Sequence, residues 1–267
     1  MNTKRINKVL VANRGEIAVR IIKTLRRLHI DSVAVFADND ANALHRRMAD
    51  EAYPLGGMLK DTYLNIQKII DAALDAGADA VHPGYGFLSE NPELAEACAS
   101  NNLIFIGPDA EVIRLMGNKI AARNIAIKEG IPVTFGLTGS MDEILNQSSQ
   151  LPYPVLIKAA AGGGGKGMHI VRRKEDLQEE LERASREAEK YFADGTVFVE
   201  QYIENPRHIE VQVLADHHGN VIHLHERECT IQRRYQKIIE ESPSPTLTEE
   251  KRQQLCETAV KLCKAIG

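Results

Sequence analysis

Between Ile6 and about Ile106 short β-branched runs alternate with helical patterns, and this alternation limits the fold more than any other feature of the chain. The strand-like runs are KVLVA, SVAVFA, DAVHP and LIFIG. Helical stretches separate them, at EIAVRIIKTLRRL, near residues 62 to 76 and near 91 to 101. On the first helix Ile17, Ile21, Leu25 and Leu28 recur at intervals of four, four and three, one apolar stripe able to pack on a sheet. A βαβ order predicts a parallel sheet with helices on both faces.

The pattern changes after Pro108, so a second unit is expected from near residue 110. Helices are expected near 109 to 116 and 118 to 129, then a strand at PVLIKA, a glycine run at 162 to 165, a charged helix from about 174 to 192, and three successive strand-like runs. His217-His218-Gly219-Asn220 lies between VQVLAD and VIHLHE, as a hairpin turn would. A last helix over 249 to 266 carries Leu255, Ala259, Leu262 and Ile266 on one face. Such a helix normally leads back to the sheet it covers, so a further strand is expected to follow.

The formal charge of −4 argues against a broad nucleic-acid footprint but leaves room for a local cluster that binds a small anion. No apolar run approaches the roughly 18 residues of a membrane span, and the N-terminus has no h-region or cleavage site, so a cytoplasmic protein is expected. Cys98, Cys229, Cys256 and Cys263 include no C-x-x-C pair, which fits reduced thiols.

Lys158-Ala-Ala-Ala-Gly-Gly-Gly-Gly-Lys166-Gly-Met168 is a strand followed by a glycine loop with a lysine on each side. Glycine lets backbone N–H groups close around phosphate oxygens, because no Cβ blocks the approach. A P-loop needs glycine where Ala160 stands and Ser or Thr where Gly167 stands. A flexible linker is the alternative. In Arg207-His208-Ile209-Glu210-Val211-Gln212-Val213 period two puts His208, Glu210 and Gln212 on one face, a site or merely a half-exposed surface. The run from Glu226 to Lys237 concentrates Arg233, Arg234 and Lys237 after a strand, cations suited to phosphate or bicarbonate, or else a solvated basic loop. Cys229 beside them could have a lowered thiol pKa or be structural. His223 and His225, at i and i+2, could grip a metal or simply decorate a strand.

VANRGEIAVRI, HPGYGFLSEN, RLMGNK, IKAAAGGGGKGM, ENPRHIEVQV and QRRYQKIIEE together resemble the biotin carboxylase family of the ATP-grasp superfamily, over essentially the whole chain. HPGYGF and QRRYQK in one chain speak against another ATP-grasp ligase such as a carbamoyl phosphate synthetase half. The resemblance implies an α/β chain: a Rossmann-like domain over 1–115, then an incomplete α+β ATP-grasp domain over 116–267 with a lid at about 135–203. It implies ATP-dependent carboxylation of carrier-bound biotin by bicarbonate through carboxyphosphate. Lys119 and Lys158 would touch the ATP phosphates, with Gly164 and Gly165 in the lid. Glu200, Gln201, Tyr202 and Ile203 would line the adenine pocket, where backbone groups on a strand edge can read the base. His208 and Gln232 would face the ribose and phosphates, Lys237 the bicarbonate or transferred phosphoryl, and Tyr85 the biotin ring. Tyr235 stands where many relatives have histidine beside the ribose.

Implied cofactors and substrates are ATP, Mg2+, bicarbonate and biotin. Implied partners are a biotin carboxyl carrier protein or domain, a carboxyltransferase subunit and a second copy in a homodimer, with no nucleic acid or membrane. The family's Glu-x-Asn motif, which supplies magnesium, occurs nowhere in the chain, so no metal ligand is assigned. The expectation is therefore of a partial biotin carboxylase, inactive alone; the alternative is a non-catalytic fragment that binds nucleotide or a partner.

Overall fold

The computed structural model describes residues 5–58, 61–161 and 168–267. The chain forms two compact units, Met1–Arg114 and Leu115–Gly267. The first contains β1 (Lys8–Val11), α1 (Gly15–Arg27), β2 (Asp31–Phe36), α2 (Leu44–Met48), β3 (Glu51–Pro54), α3 (Ile66–Asp75), β4 (Ala80–His82), α4 (Pro92–Ser100) and β5 (Ile104–Phe105). The strands form one parallel sheet in the order β3-β2-β1-β4-β5. Its two faces are both covered, as the near-continuous apolar strands require. Val9 and Val11 pack with Ile21, Ile22 and Leu25 of α1, while Leu10 joins Ile69 and Ile70 of α3 on the other side. The stripe on α1 ends at Leu25, because Leu28 is already the exposed C-cap.

Strand β3 has no counterpart in the sequence reading. EAYP carries no β-branched residue, and Pro54 would speak against a central strand. It is tolerated because β3 is the sheet's edge.

Beyond the carboxyl ends of β1 and β4, the usual ligand side of such sheets, Asn13 organises the 82–87 loop. Its buried Nδ2 donates to Pro83 O at 2.7 Å and to Tyr85 O at 2.9 Å. Gly84 takes φ +67° against it, and a Cβ there would lie 2.7 Å from Asn13 Nδ2. The loop thereby presents Tyr85 at the surface, 61% exposed, with its hydroxyl donating to Glu16.

Helix α5 (Ala110–Gly117) carries the junction into the second unit. There follow α6 (Lys119–Lys128), β6 (Gly136–Leu137), α7 (Met141–Asn146), β7 (Val155–Ala159), β8 (His169–Val171), α8 (Leu177–Phe192) and β9 (Val197–Gln201). The four strands form an antiparallel sheet in the order β6-β9-β7-β8. Val155, Ile157 and Ala159 alternate inward and meet Leu177, Leu181, Ala184 and Ala188 of α8. Residues 174–176, expected within that helix, form a separate 3-10 turn before it.

Four strands follow α7 and β7–β8 rather than three beyond residue 192: after β9 come β10 (Ile209–Ala215), β11 (Val221–Arg233) and β12 (Gln236–Glu241). These last three form a separate antiparallel sheet in the order β10-β11-β12. The hairpin at 216–220 is present, with Asp216 Oδ1 accepting from the N–H groups of His218 and Asn220, both at 2.9 Å. The segment from Gln232 to Lys237 is a second hairpin, not a basic loop. Arg233 pairs with Gln236, and Arg234 and Tyr235 make the two-residue turn with φ of 50° and 62°.

Helix α9 (Glu249–Ile266) covers one face of this sheet; of the expected stripe, Ala259, Leu262 and Ile266 are half-buried and Leu255 is exposed. The helix is turned so that Cys256 rather than Leu255 is its fully buried residue, with Arg252, Val260 and Cys263 half-buried beside it. Buried carboxylates set that rotation. Glu226 Oε1 accepts from Arg252 Nε at 2.8 Å and from Ser244 N–H at 2.9 Å. Glu228 accepts from Ser244 Oγ at 2.6 Å, Thr246 Oγ1 at 2.8 Å, Arg207 Nη1 at 2.9 Å and Thr230 Oγ1 at 3.0 Å. For Glu228, both of whose oxygens are supplied with donors, the buried charge is tolerable. The hydrogen bonds of Ser244 and Thr246 lead in holding Glu228 down at about 2. No described helix is long and apolar enough to cross a membrane.

Candidate functional site

Strand β7 gathers the two lysines singled out in the sequence. Lys158 points to the face opposite α8, where the diagonal neighbour on β9 is Glu200, and the two form an ion pair. Glu200 also accepts from Thr134 Oγ1 at 3.2 Å. Lys119 opens α6 just after Asn118, whose side chain caps the helix by accepting from the N–H groups of Ile120 and Ala121, each at 3.0 Å. Its own N–H donates to Ala160 O at 3.2 Å and its Nζ to Ala159 O at 3.3 Å. Lys119 and Lys158 therefore meet at the end of β7 that leads into the glycine run. Gly164 and Gly165 lie outside the described residues.

Gln201 and Tyr202 follow Glu200 where β9 leaves the sheet. Their N–H groups donate to Phe135 O at 2.7 Å and Pro154 O at 3.0 Å, so these donors hold the chain's course rather than stand open on a strand edge. Ile203 is half exposed beside them.

On the three-stranded sheet the predicted polar face of β10 exists and is larger than the sequence indicated. His208 is fixed through its backbone: its carbonyl accepts from Cys229 N–H at 2.7 Å and its N–H donates to Thr230 Oγ1 at 3.1 Å. Gln232 Nε2 bridges His208 Nδ1 and Cys229 O, both at 2.8 Å. Arg227 on β11 pairs in register with Glu210 and sets Nε and Nη2 on its Oε1 at 2.8 and 2.5 Å, while Nη1 donates to Gln212 at 3.1 Å. Lys237 on β12 donates to the other carboxylate oxygen of Glu210.

Burial alone would push Glu210 upward, but Lys237 and Arg227 outweigh it and hold the carboxyl below its ordinary range. The hydrogen bond to Glu210 in turn raises Lys237, which stays charged. Glu240 on β12 also lies 3.7 Å from Arg227 Nε, so two carboxylates balance Arg227 and Lys237, and what the cluster offers a small anion is fixed N–H donors rather than net charge. Arg227 belongs to this arrangement although it was not among the residues expected to act, and Glu210 was expected only on the polar face of β10, with no role of its own. The signal was the parity of HIEVQV, which needed a register with β11 before it could name a partner.

Tyr235 stands 57% exposed at the tip of the β11–β12 turn. Cys229 is buried, and burial pushes its thiol up despite the nearby Lys237 and Arg227, so a lowered pKa is not found there. All four cysteines are free thiols.

Two family models match. Residues 5–113 match the biotin carboxylase N-terminal domain and residues 118–267 the carbamoyl-phosphate synthase L chain ATP-binding domain. The chain is 50% identical over 264 residues to biotin carboxylase 2 of Bacillus subtilis, covering 97% of this chain and 60% of the relative. It is 49% identical to the mitochondrial methylcrotonoyl-CoA carboxylase subunit alpha of Dictyostelium discoideum, covering 100% of this chain and 39% of that one. The biotin carboxylase domain dimer of Hydrogenobacter thermophilus 2-oxoglutarate carboxylase, solved with MgADP, ADP and bicarbonate, superposes with a TM-score of 0.93 at 47% identity, covering 99% of this chain and 59% of that one. The chain thus spans 39 to 60% of the length of these relatives. With one model for each half, and the first distinguishing it from other ATP-binding ligases, the chain belongs to the biotin carboxylase family.

Proposed function

We propose that this chain binds ATP and bicarbonate as part of a cytoplasmic biotin carboxylase. The observation that carries the reading is the convergence of Lys119 and Lys158 at the end of β7, directly before the glycine run. Two cations there suit ATP phosphates, and a lid over 135–203 would exclude water from a reactive carboxyphosphate. Glu200 to Ile203 would line the adenine, His208, Gln232 and Tyr235 the ribose and phosphates, and Tyr85 the biotin ring.

In the reaction a bicarbonate oxygen forms a bond to the γ-phosphorus of ATP as the bond to ADP breaks; the ureido nitrogen of carrier-bound biotin then gives up its proton and bonds to the carboxyl carbon as the carbon–oxygen bond to phosphate breaks and inorganic phosphate leaves. Lys237 would stabilise the oxygens of bicarbonate or of the phosphoryl in transit, with Glu210 and Arg227 fixing its position. Magnesium prefers an all-oxygen set. Among the described residues the acidic grouping beside Lys237 joins Glu210 and Glu240 to the Cys229 thiol, and Glu210 is already taken by Arg227 and Lys237. These residues do not fit the ion, and no step is derived through it.

A carrier and a carboxyltransferase would be the partners, and the dimer of the H. thermophilus domain is the precedent for a second copy. The test is ATP cleavage with free biotin. Cleavage that requires both bicarbonate and biotin supports the reading; ATP binding without cleavage would reduce this chain to nucleotide binding.

A further inference from the structure

The face of the three-stranded sheet turned away from Lys237 carries a second group of side chains that the carboxylase reading leaves unused. Val211 pairs with Glu226 and Val213 with His223, so one residue of β10, Gln212, stands opposite two of β11, Leu224 and His225. This bulge has two consequences. It passes Glu226 and Glu228 to the side of α9 and leaves Arg227 on the opposite side with Glu210. It also forces His225 into the left-handed region at φ 65°, which a residue with a Cβ adopts at a cost.

The two imidazoles come together at that bulge, their rings 5.2 Å apart and nearly perpendicular. From α9, the Cys256 thiol projects toward them. One ligand atom from each of His223, His225 and Cys256 lies within 4.8 Å of the other two. Tetrahedral Zn2+ with bonds of about 2.0 to 2.3 Å holds such donors roughly 3.3 to 3.7 Å apart, so modest side-chain rotation closes the set. A separate observation points the same way. Glu226, next to His225 and fully buried, has one carboxylate oxygen paired with Arg252 and Ser244, while Oε2 has no partner among the described residues. A buried carboxylate oxygen and a potential thiolate in one place call for a cation.

We propose that His223, His225 and Cys256 bind one thiophilic divalent cation of the Zn2+ class, fastening α9 to β11 on the side of the sheet away from the nucleotide residues. The ion takes two imidazole nitrogens and the Cys256 sulfur, with solvent in the fourth position. The Cys256 proton passes to solvent as the sulfur–metal bond forms. Mg2+, which requires oxygen ligands, does not compete. Whether the other face carries out carboxylation has no bearing on this site.

The test uses the whole 267-residue chain, freed of metal by chelator and titrated with Co2+. One Co2+ per chain is expected, with thiolate-to-cobalt charge-transfer absorption that equimolar Zn2+ abolishes and excess Mg2+ leaves unchanged. His225→Ala alters an exposed side chain and is expected to weaken Co2+ binding at least about 10-fold. Cys256→Ser is expected to remove the charge-transfer band. Absence of the band in the parent chain, its persistence in Cys256→Ser, or unchanged affinity in His225→Ala would each overturn the proposal.

Discussion

Lys237 on β12 donates to Glu210 on β10, reaching over the intervening strand β11, whose Arg227 holds the other oxygen of the same carboxylate at 2.5 Å. Strand β10 contributes Glu210, β11 Arg227 and β12 both Lys237 and Glu240, whose carboxylate lies 3.7 Å from Arg227 Nε. Glu210 keeps both cations in place, so Lys237 presents its N–H donors from a fixed position.

In a chain extended to the length of its relatives, Lys237→Ala is expected to leave ATP binding within about two-fold while lowering bicarbonate-dependent ATP cleavage at least about 100-fold, the scale of one lost oxyanion contact. Glu210→Gln keeps Lys237 but frees it, so turnover falls less and the apparent KM for bicarbonate rises. Calorimetry with nucleotide and steady-state cleavage separate the two effects; equal loss of binding and turnover in Lys237→Ala would contradict the assigned role.

Glu228 links folding to acid. Its carboxyl is held at about 2 in the folded chain against an ordinary 4.5, so its contribution is complete above about pH 4.5 and is lost as pH falls from there toward 2. Glu228→Gln is expected to lower the thermal midpoint at neutral pH and to flatten the decline between pH 4.5 and the acid limit of folding. Midpoints recorded across pH 3 to 7 for both chains check this, and parallel curves would contradict it.

Gly84 and Gly86 separate two kinds of glycine requirement. Both have positive φ, but only at Gly84 would a Cβ strike a neighbour, Asn13 Nδ2 at 2.7 Å, with nothing within 4 Å at Gly86. Gly86→Ala is expected to cost about 1 kcal/mol from backbone conformation alone. Gly84→Ala is expected to cost about 1 kcal/mol more, since it also breaks the Asn13 hydrogen bonds to Pro83 and Tyr85. Denaturant titration of both variants measures the difference.

The turn at Arg234-Tyr235 places two side chains at positive φ where Asn-Gly would be relaxed. Replacing the pair by Asn-Gly is expected to stabilise the chain by about 1 kcal/mol and to weaken nucleotide binding if Tyr235 meets the ribose. Unfolding and nucleotide titrations of the same variant read both effects.

The sequence made some of this legible and hid the rest for definable reasons. Period two in HIEVQV placed His208, Glu210 and Gln212 together because a strand's side-chain direction depends on sequence alone. What Glu210 would touch depended on the register with β11, and that register is broken by the bulge at Leu224 and His225. Nothing in VIHLHERE announces a bulge, since His225 is neither Gly nor Asn. The same bulge sends Glu226 under α9, where Arg252 and Cys256 rather than Leu255 become the packed face. Apolar spacing could not foresee a helix turned by a buried carboxylate. Edge strand β3 was missed because strand propensity describes half-buried strands better than EAYP at an edge.

The central claim is that Lys119 and Lys158 form an ATP-phosphate cradle at the end of β7. Calorimetric titration of the chain with ATP tests it most directly. ATP is expected to bind one to one, with Lys119→Ala and Lys158→Ala each weakening it at least about 10-fold, the scale of a lost charged hydrogen bond, and Tyr85→Phe leaving it unchanged. No binding by the parent chain, or lysine variants that bind ATP as tightly as the parent chain, would contradict the cradle.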